Sequence, residues 1–173
     1  METVLERVFV DKHEDSIYSS IPSNDEEEKM PNVIHGWLQM KVMTMLVQRL
    51  PKEYGVYPPI TFKTTERGYT PDVCVYSKNS LHFDLLDVNP NANIAPTLAV
   101  EIVSSSQNNV ELILKAISMI QAGVETCWIV EPATGVVVVC TQDGRTTLHK
   151  GEFLHHPLLS DPISLDELFD TSL

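Results

Sequence analysis

Between residues 33 and 50, Ile34, Trp37, Leu38, Met45 and Leu46 recur at helical spacing, with Val42, Met43 and Val47 between them. The pattern predicts a long helix packed on most sides, capped by Asn32 and stopped by Pro51. Its methionines and Trp37 read as core filler. From residue 59 the chain becomes β-rich. Residues 59–63, 71–77 (PDVCVYS) and 97–104 (TLAVEIVS) read as strands. Residues 78–96, with Asn79, Pro90, Asn91, Asn93 and Pro96, read as the loop before the last of these. Residues 104–108 offer several N-caps for a helix over 109–122, closed by Gly123. Val110, Ile113, Ile117 and Ile120 form its apolar stripe, which leaves Lys115 roughly opposite.

Strands follow over 125–131 and 136–141, parted by Pro132-Ala133-Thr134-Gly135. Asp143-Gly144 predicts a hairpin turn into a strand over 146–150. Ser164-Leu165-Asp166-Glu167 reads as a capping box for a last short helix. Residues 4–10 can form a short edge strand. The apolar runs at 98–103 and 127–130 imply strands covered on both faces. The order predicts an α/β or α+β sandwich, a mixed sheet with helices against it.

Charge refines this picture. The chain has 173 residues and a formal net charge of −12. Residues 1–28 hold nine acidic and two basic side chains, so more than half of the excess lies there. The run Asp25-Glu26-Glu27-Glu28 reads as a solvated loop. Residues 1–30 thus form an acidic segment ahead of a domain over 31–173. The balance argues against a general nucleic-acid coat but leaves room for a local cleft. No apolar run of about 18 residues, the length of a membrane span, is present. The start of the chain lacks the basic-then-apolar pattern of a secretory signal. Cys74, Cys127 and Cys140 are odd in number and widely spaced, as in reduced core thiols. A cytoplasmic protein is expected.

The candidate chemistry lies in two carboxylates inside apolar strands, Asp72 and Glu101, where an uncompensated charge is costly. Alternation puts Asp72 with Cys74 and Tyr76, and Glu101 with Ala99 and Val103. If the strands are neighbours, the carboxylates converge. With the backbone carbonyl of Ile102 they offer hard oxygen donors suited to Mg²⁺ or Mn²⁺. Each residue has a structural reading too. Lys115 stands four after Glu111, the order of a surface helix ion pair. Asp72 can be a strand-start carboxylate, and Glu131 can face the loop before Pro132 rather than act as a third ligand. His35 reads as a buried or capping histidine or as an accessory base. His155-His156 lacks further ligands at zinc spacing. No nucleophile elbow, phosphate loop or dinucleotide fingerprint occurs, so no organic cofactor is expected.

Pro71-Asp72-Val73, Val100-Glu101-Ile102-Val103-Ser104, Lys115, Ala122-Gly123-Val124 and Trp128-Ile129-Val130, in that order, resemble the Uma2 family. That family is assigned to the PD-(D/E)XK nuclease-like superfamily and is abundant in cyanobacteria. The resemblance covers roughly residues 33–170, and His35 matches a histidine that many members carry. It implies a restriction-endonuclease-like sandwich and metal-dependent hydrolysis of DNA. Asp72 and Glu101 would hold the ion. The superfamily lysine usually follows the glutamate by two residues, where this chain has Val103. Lys115 matches the lysine that similar members place on the next helix. Lys63, Arg67 and Lys78 would meet phosphates, and a homodimer would present two sites to a duplex. The rival expectation is a nuclease-fold protein that binds a partner or assembles without cutting.

Overall fold

The computed structural model describes residues 32–65, 67–82, 86, 92–104 and 109–172. The acidic segment, the expected strand over 4–10 and the cap candidates at 105–108 lie outside them. Asn32 caps helix α1 (Val33–Arg49) through its side-chain oxygen, which accepts from His35 N at 2.9 Å. Pro51 lies two residues past the helix end, where its ring opposes continuation.

Strands β1 (Tyr54–Tyr57), β4 (Val73–Ser77), β5 (Leu98–Ile102), β6 (Thr126–Glu131), β7 (Val136–Thr141) and β8 (Gly144–Leu148) form one sheet. Their order across it is β1-β4-β5-β6-β7-β8. Every neighbouring pair is antiparallel except β5 and β6. That parallel pair requires a crossover, and helix α2 (Asn109–Gln121) supplies it. Two short hairpins stand apart from the sheet. One pairs β2 (Phe62–Lys63) with β3 (Gly68–Tyr69), and the other pairs β9 (Phe153–Leu154) with β10 (Ile163–Ser164). Helix α3 (Leu165–Phe169) follows.

Strand alternation divides the core into two layers. Val73, Val75, Val100, Ile102, Trp128 and Val130 pack with Leu38, Val42 and Leu46 of α1 and Leu165 and Leu168 of α3. Cys74, Ala99, Cys127 and Ile129 pack with Leu112, Ala116 and Met119 of α2. The sheet is therefore covered on both faces, as the apolar runs predict, and the α+β sandwich stands.

Several boundaries move. β1 (YGVY) went unpredicted because Gly55 and the following Pro58-Pro59 mask its pattern. The strand expected over 59–63 shrinks to Phe62–Lys63, since Pro59 has no N–H for a ladder. Thr141 pairs with Gly144, so the hairpin loop is Gln142-Asp143, one residue before the expected turn. Ser164 precedes α3 but makes no side-chain cap bond. The partner carboxylate, Glu167, is drawn to Arg49 at 3.1 Å instead. On α2 the buried residues are Leu112, Ala116, Met119 and Ile120, while Val110 is exposed. The stripe is thus rotated from the expected one, and Lys115 lies beside it rather than opposite.

α2 ends in a Schellman motif. Val124 N reaches Met119 O at 3.0 Å and Gly123 N reaches Ile120 O at 3.1 Å, with Gly123 at φ 106°. An added Cβ at Gly123 would find ordinary contact with Ala95, so the strain lies in the dihedral alone. Gly123→Ala is expected to cost about 1–2 kcal/mol. Thermal unfolding should show a Tm lowered by roughly 3–6 °C.

Candidate active site

β4 and β5 pair with Val73 opposite Val100, so the register carried one step further sets Asp72 opposite Glu101. Directly opposed residues on an antiparallel pair have Cβ atoms about 4.5–5.5 Å apart, on one face. The two carboxylates therefore meet at the end of adjacent strands, as alternation alone suggests.

Asp72 is held at three oxygens. Its Oδ2 accepts from Ile102 N at 2.7 Å, its Oδ1 lies 3.4 Å from His35 Nε2, and its backbone oxygen accepts from Gln39 Nε2 at 2.7 Å. Ile102 thus enters first through its N–H. In a strand the N–H and C=O of one residue point to the same side, so the Ile102 carbonyl also faces the Asp72 edge. Val103, one residue on, points the other way and donates to Val130 O at 2.9 Å.

Glu101 is 3% exposed. Among the described residues its one ion pair is with Lys115, whose Nζ lies 2.7 Å from Oε1. The same ammonium donates to Thr70 O at 3.2 Å, tying α2 to the segment that leads into Asp72. Lys115 reaches inward to Glu101 rather than along the helix to Glu111. Burial pushes the Glu101 carboxyl up to about 7, and Asp72 adds to that, although Lys115 and His35 oppose it. The Asp72 carboxylate raises the His35 pKa, against the effect of burial. Lys115→Met would leave Glu101 without its ammonium. We expect a stability loss of about 1–3 kcal/mol at pH 8, shrinking by pH 5 as Glu101 takes a proton. Urea unfolding at the two pH values reads it.

The remaining sequence candidates separate. Lys63 and Arg67 lie on the β2–β3 hairpin, which runs directly into Asp72. The Arg67 guanidinium sits 4.5 Å over the Tyr69 ring, which stacks on Phe62. Lys78 follows the far end of β4, roughly 20 Å from Asp72 at the usual rise per residue. Its Nζ donates to Lys52 O at 2.6 Å, so it is not brought to this cleft as the sequence suggested. Glu131 shares the Glu101 face by alternation, and its Oε2 accepts from Thr134 at 2.8 Å across the β6–β7 turn. His156 is half-buried against Trp128, its Nδ1 accepts from Leu158 N at 3.3 Å, and burial lowers its pKa. Among the described residues no three His, Cys, Asp or Glu side chains group as a metal site. Any ion here would rest on two carboxylates, a carbonyl and water. Gln39, Thr70 and the Ile102 N–H were missed from sequence. An amide donor or a backbone group carries no periodic signature.

The family profile described as "Uma2: Putative restriction endonuclease" matches residues 19–168. The chain belongs to the Uma2 family. Among solved structures, this Uma2 protein is similar to a "putative nuclease belonging to DUF820" from Anabaena variabilis ATCC 29413. The two share 18% sequence identity with a TM-score of 0.72, over 81% of this chain and 82% of that one. That likeness assigns the nuclease fold. No curated protein matches. Among the described residues, no helix of this Uma2 protein is long and apolar enough to cross a membrane.

Proposed function

We propose that this Uma2 protein is a divalent-metal-dependent endonuclease that hydrolyses DNA phosphodiester bonds at the Asp72–Glu101 site. One observation carries the reading: two carboxylates opposed in register at a strand end, with a lysine ammonium reaching Glu101 from the crossover helix. The donor set suits Mg²⁺ or Mn²⁺. Mg²⁺ binds commonly through one or two carboxylates and keeps several waters. Asp72, Glu101 and the Ile102 carbonyl would hold the ion. Bound there, it would polarise a phosphoryl oxygen and lower the pKa of water.

The chain's own residues do the rest. Lys115 stands between Glu101 and Thr70, where it would hold a phosphate oxygen and stabilise its developing charge. Water adds to phosphorus as one P–O ester bond breaks, leaving a phosphate monoester and a hydroxyl end. Lys63 and Arg67 on the adjacent hairpin would meet neighbouring phosphates. Such binding weakens steeply with salt. A homodimer belongs to the same proposal, because a two-fold axis would set two sites against two strands.

The test is cleavage of supercoiled, linear, single-stranded and branched DNA in Mg²⁺ or Mn²⁺ against chelator. Metal-dependent cutting supports the reading. Intact DNA under every condition favours the rival reading, a nuclease-fold binding module, which the net charge of −12 also favours.

A further inference from the structure

We propose that His35 and Gln39 are positioning residues that fix Asp72 as an ion ligand, so that α1 sets the geometry of a site otherwise built from the sheet and α2. The inference rests on the metal-binding reading above. The two residues stand four apart on one helix and therefore face the same way. Gln39 Nε2 holds the Asp72 backbone oxygen at 2.7 Å, and His35 Nε2 faces Oδ1 at 3.4 Å. Ile102 N takes the other carboxylate oxygen at 2.7 Å. Two hydrogen-bond donors and one ion-pair contact, from two elements, thus determine both the backbone and the side-chain orientation of one aspartate. Glu101 has a single ion-pair partner among the described residues by comparison.

The arrangement starts at the helix cap. Asn32 accepts from His35 N at 2.9 Å, which fixes the backbone that carries the ring. His35 is buried, and its Nδ1 has no hydrogen-bond partner among the described residues. A neutral ring therefore keeps its proton on Nε2, where it meets Asp72, rather than stranding it on Nδ1. A polar ring that leaves one nitrogen unsatisfied contributes poorly as core filler. Its good contact is the carboxylate. Partners that orient a metal ligand typically account for about 10–100-fold in metal affinity.

The experiment is Mn²⁺ titration of the full chain, read by electron paramagnetic resonance. The proteins are wild type, His35→Leu, His35→Gln and Gln39→Leu, each with its Tm measured in chelator. We expect His35→Leu and Gln39→Leu to bind Mn²⁺ about 10-fold or more weakly. His35→Gln, whose amide nitrogen can stand where Nε2 does, should recover most of that loss. If His35→Leu does not fold, Gln39→Leu carries the test. Wild-type binding with both leucine variants within twofold of it overturns the positioning role and leaves the metal site standing. His35→Gln as weak as a folded His35→Leu also overturns it, since bulk alone would then matter. Wild type that binds no Mn²⁺ removes the metal reading itself, and this inference with it.

Discussion

Asp72→Asn is expected to lower metal-dependent DNA cleavage by about 10³-fold while leaving the fold intact. The magnitude follows from the charge removed. A divalent ion in such a site supplies several kcal/mol of transition-state stabilisation, and about 4 kcal/mol corresponds to roughly 10³ in rate. The substitution keeps a side-chain oxygen to accept from Ile102 N and keeps the backbone oxygen that Gln39 holds. Packing is therefore preserved while one formal charge at the ion position is lost. Cleavage rates over a Mn²⁺ series separate the two ways this can act. Weaker ion binding alone would be recovered at high Mn²⁺, whereas misplacement of the ion would not.

Glu101→Gln is expected to change stability with a sign unusual for a carboxylate. Glu101 titrates at about 7 in the folded chain against an ordinary value of 4.5. Between those values the folded state holds a proton that the unfolded state has released. Stability therefore falls as pH rises from 4.5 to about 7, and the cost is fully present above that. The cost is on the order of 3 kcal/mol. His35, with its pKa raised above 6.5, acts in the same direction from that value upward. His156, with a lowered pKa, acts in the opposite direction below 6.5. The difference between wild type and Glu101→Gln isolates the glutamate from both. Glu101→Gln should be more stable than wild type at pH 8 by on the order of 2 kcal/mol, with the gap closing towards pH 5. Differential scanning calorimetry across pH 5–8 should show several degrees of added Tm at the alkaline end. A variant less stable than wild type at pH 8 would mean that the Lys115 ion pair outweighs the burial of the charge. Under the proposed function, a bound ion would supply the compensation that the buried Glu101 carboxylate otherwise lacks.

Much of this was legible in the chain. Asn32 could be read as a cap because a short polar side chain stood just before a helical apolar pattern. Asp72 and Glu101 stood out because carboxylates are costly inside apolar strands, and period-two alternation put each on a definite face. Their adjacency depended on strand order, which alternation does not encode. Lys115 was harder. Its stripe was read from Val110, Ile113 and Ile117, but the helix buries Leu112, Ala116 and Met119 instead, and Val110 faces outward. An apolar stripe wide enough to be read two ways leaves the rotation of a helix to its docking. Lys78 was misplaced because nearness in sequence to Asp72 said nothing of direction, and a strand carries its two ends apart. Glu167 matched a capping box but was claimed by Arg49, more than a hundred residues away in sequence. Gln39 gave no signal at all, since an amide within an amphipathic helix is ordinary until a backbone oxygen is found opposite it.

DNA cleavage by wild type, Asp72→Asn and Thr147→Ala, purified identically and assayed in Mn²⁺ and in chelator, decides whether the Asp72–Glu101 site cuts. Thr147 lies exposed on β8, away from the carboxylates. Wild type and Thr147→Ala are expected to cut in Mn²⁺ and not in chelator, with a loss of about 10³-fold in Asp72→Asn. Equal cutting by all three proteins would contradict cleavage at that site.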